Sequence, residues 1–82
     1  MEKLRLYLNS LSRQEQEYFA FRCGTTLGYL RKSLSTKPLF DALLCLSVER
    51  ASNGEVTRQD LRPNDYWRIW PDLPEPKKEV AA

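Results

Sequence analysis

The sequence predicts an all-α bundle of about five short helices. Three observations predict it. Apolar residues recur at helical spacing through most of the chain. Helix-start signals stand at Ser12, with Glu15 three positions on, and at Thr57, where Asp60 places negative charge near a helix N-terminus. Ala20, Gly24 and Leu30 fall where two helices would meet across a tight turn, which predicts a helix-turn-helix at residues 14–35.

Leu4, Tyr7, Leu8 and Leu11 follow the i, i+3, i+4, i+7 pattern of one helix face. Leu4, Leu6 and Leu8 also alternate, as they would in a strand. The Glu, Lys, Leu and Arg content and the absence of β-branched residues favour the helix. Ser12 and Glu15 form a capping box that starts a second helix running to about Arg22, with Phe19, Ala20 and Cys23 inward. Gly24 ends it, because glycine reaches the positive φ of a helix terminus without strain. Thr25 or Thr26 caps a third helix over 26–34, with Leu27, Leu30 and Leu34 on one face. Pro38 suits the first turn of a fourth helix over 38–52, which buries Leu39, Leu43 and Leu46 with Phe40, Leu44 and Val48 beside them. Asn53-Gly54 stops that helix. Thr57 caps a short fifth segment ended by Pro63. Residues 64–73 gather Tyr66, Trp67 and Trp70, too much apolar surface to leave wet, so they pack on the core or on a second subunit. The expected organisation is one domain over 1–73 and a flexible tail at 74–82 without periodicity.

Composition narrows the function. An 82-residue chain buries about 60% of its unfolded surface, so its core is modest. It has no His, and Cys23 and Cys45 lack metal-ligand spacing, which predicts reduced core thiols, no metal and no cofactor. No apolar run has the length of a membrane span, and the N-terminus is too charged for a secretory signal, which predicts a cytoplasmic protein. Without His, a Gly-rich phosphate loop or a paired nucleophile and base, an enzyme is not expected. The net charge is only +2, but residues 18–40 contain no acid and hold Arg22, Arg31, Lys32 and Lys37. A basic face centred on the second helix of a helix-turn-helix is the footprint of a phosphate binder.

In that arrangement Thr26, Leu27 and Gly28 open the reading helix nearest the base edges, and Arg31 and Lys32 lie one turn on, facing outward. Arg can bond guanine O6 and N7 together, and Thr can bond a base or touch a thymine methyl. Leu27 has a core role as its alternative. Gln14 and Gln16 near the first helix start, Thr25 in the turn, and Ser35, Thr36 and Lys37 at the far end are the expected phosphate contacts. Tyr29 reaches a phosphate or packs half-buried. Arg58, Arg62 and Arg68 are expected to be structural or rim charges.

GTTLGYLRKSLS after a capped helix, followed by E-x-A-S-N-G-x-V-T-R-x-D-L-R-P-x-D-x-W-x-I-W-P over 49–71, resembles small prophage regulators of the Cro and YdaS kind. The resemblance spans most of residues 4–73. It implies a DNA-binding domain related to the lambda repressor fold, operator binding by a homodimer, and repression. Some such relatives are antitoxins, which would add a toxin partner. The chain departs from the pattern at Ser33, where an apolar residue is common, with Leu34 beside it as a substitute. An antitoxin or adaptor acting through protein contacts is the rival reading; the acid-free window favours nucleic acid.

Overall fold

The computed structural model describes residues 2–75. Six helices follow in order: α1 (Glu2–Asn9), α2 (Arg13–Arg22), α3 (Leu27–Thr36), α4 (Ala42–Ala51), α5 (Arg58–Leu61) and α6 (Tyr66–Ile69), with no strand among the described residues. The all-α bundle is therefore as expected, with six helices in place of about five. The tail expected at 74–82 lies, from residue 76 on, outside the described residues.

In α1, Leu4 and Leu8 are completely buried while Leu6 between them is 60% exposed, which separates helix from alternation. Tyr7 sets its ring edge-on against Phe19 of α2, centroids 5.0 Å apart. The capping box of α2 is complete: the Glu15 backbone N–H donates to Ser12 Oγ at 3.2 Å, and the Ser12 N–H donates to Glu15 Oε1 at 2.8 Å. The turn after α2 is a Schellman closure. The Thr25 N–H reaches Ala20 O and the Gly24 N–H reaches Phe21 O, both at 3.0 Å, with Gly24 at φ +76°. Thr26, not Thr25, caps α3, its Oγ1 accepting from the Tyr29 N–H at 3.1 Å.

The expected start of the fourth helix is corrected. Residues 37–41 belong to no helix, and α4 begins at Ala42 under an Asp41 cap that accepts from the Leu44 N–H at 2.7 Å. Lys37, which precedes proline, is denied the right-handed helical region and takes φ 49°, ending α3. Phe40 then enters the core from this non-helical link, and its carbonyl accepts from Arg62 Nη1 at 2.8 Å. The inward face is corrected as well: Leu46 is only half-buried, and the helix turns Cys45 and Val48 to the core instead of the expected Leu39, Leu43 and Leu46 stripe. Phe40, Cys45 and Val48 are buried and Leu44 half-buried, whereas Leu39 and Leu43 are exposed by 74% and 73%.

α4 closes as α2 does: the Asn53 N–H reaches Arg50 O and the Gly54 N–H reaches Glu49 O, with both residues at positive φ. Thr57 and Asp60 form a second capping box for α5. α6 is shorter than the 64–73 stretch suggested, because Trp70 stands before Pro71 and turns extended. Tyr66 is buried, Trp67 meets it edge-on, and Trp70 packs against the core with the Arg58 guanidinium 5.3 Å from its ring centre. Trp67 and Trp70 themselves stay half-buried. Cys23 and Cys45 are free and buried, and burial pushes both thiols up to about 11.

Candidate nucleic-acid interface

α3 packs on α2 and α1 through Leu27, Leu30, Ser33 and Leu34, all buried. Ser33 occupies an inward position, and its hydroxyl donates to Leu30 O at 2.6 Å, so a buried polar group is satisfied within its own helix. Both Ser33 and Leu34 face the core.

The opposite face of α3 is bare. At 3.6 residues per turn, Gly28, Lys32 and Ser35 share its outermost stripe. Arg31 flanks it toward α2, and Tyr29 flanks it toward α4, where its ring lies 6.1 Å from that of Phe40. Thr26 and Thr36 are exposed at the two ends, with Lys37 just beyond, and Gln14 is exposed at the start of α2; Thr25 is half-buried in the turn. The Ser35 and Thr36 hydroxyls both donate to Lys32 O, at 3.0 and 3.1 Å. A Cβ added at Gly28 would meet nothing nearer than Thr26 Oγ1 at 4.0 Å, so no packing within the chain requires glycine there.

Two expected contacts are corrected. Leu27 is buried in the core and cannot present its side chain to a base edge. Gln16 is buried, and its amide is already committed: Nε2 donates to Leu8 O at 2.7 Å and Leu11 O at 3.2 Å, and Oε1 accepts from Arg31 Nη2. No side-chain N–H of Gln16 is left for a phosphate. One basic residue beside this face escaped the sequence reading. Arg5 of α1 donates to Leu34 O at 3.2 Å, close to the end of α3. It lies outside the acid-free window, and the only signal for it was its place one position after Leu4 on the helix that packs against α3.

The electrostatics divide sharply. Among the described residues, Arg22, Arg31, Lys32 and Lys37 have no carboxylate oxygen within 4 Å. Arg22 lies over the Tyr18 ring, 5.8 Å from its centre. By contrast, Arg58 pairs with Glu49 at 3.0 Å and Asp72 at 3.3 Å, and Arg62 pairs with Asp65 at 2.6 Å. Arg58 and Arg62 are structural charges, as their sequence context indicated. No three His, Cys, Asp or Glu residues among those described gather at metal-binding distance, and no described helix is long and apolar enough to cross a membrane.

A capped helix, a Schellman turn and a second capped helix with an unpaired cationic outer face define the helix-turn-helix class. No family model matches the chain, and no solved structure matches it. A prophage transcriptional regulatory protein of Escherichia coli strain K12 is 32% identical over 63 residues, covering 77% of this chain and 96% of that protein. The chain belongs to the family of that prophage transcriptional regulator.

Proposed function

We propose that this protein is a sequence-specific double-stranded DNA-binding transcriptional regulator, a Cro-like repressor acting in the bacterial cytoplasm. It inserts α3 into the major groove of an operator. The observation that carries this reading is the outer face of α3, where Arg31 and Lys32 stand free of carboxylate partners beside a glycine that packing does not demand. Gly28 lets the backbone approach the duplex, Arg31 reads a base, and Lys32 sits at the centre of the ridge. Thr26 flanks the base edges. Gln14, Thr25, Ser35, Thr36 and Lys37 grip phosphates, with Tyr29 at the rim.

A single module covers about 600–1,000 Å² of its own surface, little for tight specific binding, so a homodimer on a palindromic site is the economical assembly. Four cationic contacts per subunit predict a slope of log K against log salt of about −7 for the dimer. The test is a binding titration on DNA from upstream of the protein's own gene at two salt concentrations. Saturable binding that weakens with salt and collapses in the Arg31→Ala/Lys32→Ala double variant supports the reading. Unchanged binding by that variant rejects it.

A second reading, an antitoxin or adaptor that also binds a toxin or other protein, draws on Leu39 and Leu43, which stand exposed beside α3. Retained binding of a co-expressed neighbouring gene product by a variant that has lost DNA affinity would favour it.

A further inference from the structure

Gln16 is a buried polar side chain with no role in the reading above, and its three hydrogen bonds join three helices. Its two N–H donors go to Leu8 O in the last turn of α1, which also accepts from the Leu11 N–H, and to Leu11 O in the link that follows α1. Its one carbonyl oxygen accepts from Arg31 Nη2 on α3. The orientation of the amide is therefore determined. With both N–H groups turned to the Leu8 and Leu11 carbonyls, only the oxygen can face the guanidinium. Because Gln16 is 6% exposed, this orientation is held by packing as well as by hydrogen bonds.

Arg31 is held in turn. A guanidinium carries five N–H donors in a fixed plane, and Gln16 takes one of them. The donors on the outer edge remain for a fork onto guanine O6 and N7. A long side chain normally loses much rotamer freedom when it is immobilised on a ligand. The Gln16 tether removes part of that freedom beforehand. The Lys32 ammonium, on the crest of the ridge, has no hydrogen-bond or ion-pair partner among the described residues.

We infer that Gln16 is a positioning residue: buried between α1 and α2, it fixes the guanidinium of Arg31 for base reading, so that sequence discrimination depends on a side chain that never touches DNA. This rests on α3 being the reading helix. It assigns discrimination to the tethered Arg31 and salt-dependent affinity to the free Lys32.

The experiment uses the full chain and duplexes selected by it from a randomised pool. Binding ratios between the best duplex and its single-base-pair variants are measured for the parent, Gln16→Met, Arg31→Ala and the double variant. Methionine keeps the length and helix preference of glutamine without its donors or acceptor. Arg31→Ala is expected to lose about tenfold or more in discrimination at one base pair. Gln16→Met should lose about three- to tenfold at that same base pair, and nothing further in the Arg31→Ala background. If Arg31→Ala discriminates like the parent, α3 does not read through Arg31 and both ideas fall. If Arg31→Ala fails to discriminate but Gln16→Met succeeds, or weakens every duplex equally in both backgrounds, the positioning role alone is overturned. A measurement on the parent is independent of whether the variant folds: the Arg31 side-chain N–H order parameter. It should exceed that of the exposed Arg13, and equal mobility would overturn the tether.

Discussion

Arg58 and Arg31 are the same side chain in opposite surroundings. Arg58 is enclosed, its side chain 14% exposed, with Nε on Glu49, Nη2 on Asp72 and its plane over Trp70. The Glu49 carboxylate also accepts from the Arg58 backbone N–H at 3.1 Å, so one acid fastens the start of α5 to α4 twice. Arg62 repeats the device, linking Asp65 to the carbonyl of Phe40. Arg31 meets no acid, only the neutral oxygen of a glutamine. The difference teaches that arginine content says little until the acids are placed. Arg58 and Arg62 are held in internal ion pairs, while Arg22, Arg31, Lys32 and Lys37 of the acid-free window are exposed and meet no carboxylate among the described residues.

The largest effect should come from removing the free cations. Arg31→Ala/Lys32→Ala is expected to weaken operator binding by about 100-fold, from a lost bidentate base contact of roughly 1–3 kcal/mol and a lost ridge charge. The salt slope should become shallower by about 2 per subunit. Thermal stability should fall only modestly, by about 1 kcal/mol for the hydrogen bond that Arg31 gives the buried Gln16 oxygen, since neither charge has an ion-pair partner to lose. A large fall in melting temperature would erase the distinction between the two regions. The reciprocal change comes next. Arg58→Ala should lose roughly 2 kcal/mol, the scale of a charge-assisted hydrogen-bonded pair that is only partly buried, lowering the melting temperature by about 10 °C. DNA affinity per folded molecule should be unchanged.

The same contrast explains what the sequence could disclose. The local signals were legible because they are decided within a few residues: the Ser12 capping box, the Thr57 cap, Gly24 and Asn53-Gly54 as stops, and the inward set Phe19, Ala20, Cys23, Leu30 and Leu34. The acid-free window was legible because ion pairs need acids. The N-terminal limit of α4 was not, because it depends on Asp41 outcompeting Pro38 as a start and on Arg62 holding the carbonyl of Phe40 from 22 positions away. Leu43 is exposed because α4 turns Cys45 and Val48 inward, on the opposite side of the helix. The burial of Gln16 was illegible for a similar reason: its partners are carbonyls in the last turn of a preceding helix and in the link after it, and nothing in the spacing of Gln14 and Gln16 tells which one turns inward. Leu27 could be read either way, and packing against α1 and α2 decided it.

A smaller effect of mixed sign tests the bare face itself. Gly28→Ala should stabilise the fold by roughly 0.5–1 kcal/mol, because it restricts the unfolded chain and meets no close neighbour. The added methyl stands on the outermost stripe of α3, where the duplex would lie, so operator affinity should fall while stability rises. A variant that gained both would show that the backbone does not come close to the DNA at this point.

The smallest expected effect concerns acid. The Arg62 guanidinium, bonded to both carboxylate oxygens, holds Asp65 below its usual range. The Ser12 backbone N–H does the same for Glu15 in the first capping box. A carboxylate whose folded pKa is depressed contributes stability that is present above its unfolded value, near 4 for these side chains, and is lost as pH falls through the folded value. The denaturation midpoint should therefore decline below about pH 4. Asp65→Asn should flatten that decline, and Glu15→Gln should flatten it further and independently, since the two sites share no partner. Lys32→Ala should leave the decline as it is, because no carboxylate lies within 4 Å of Lys32 among the described residues. A changed acid limb in Lys32→Ala would reveal a carboxylate partner for the ridge and undo the separation of internal pairs from free cations on which the proposed DNA contact is built.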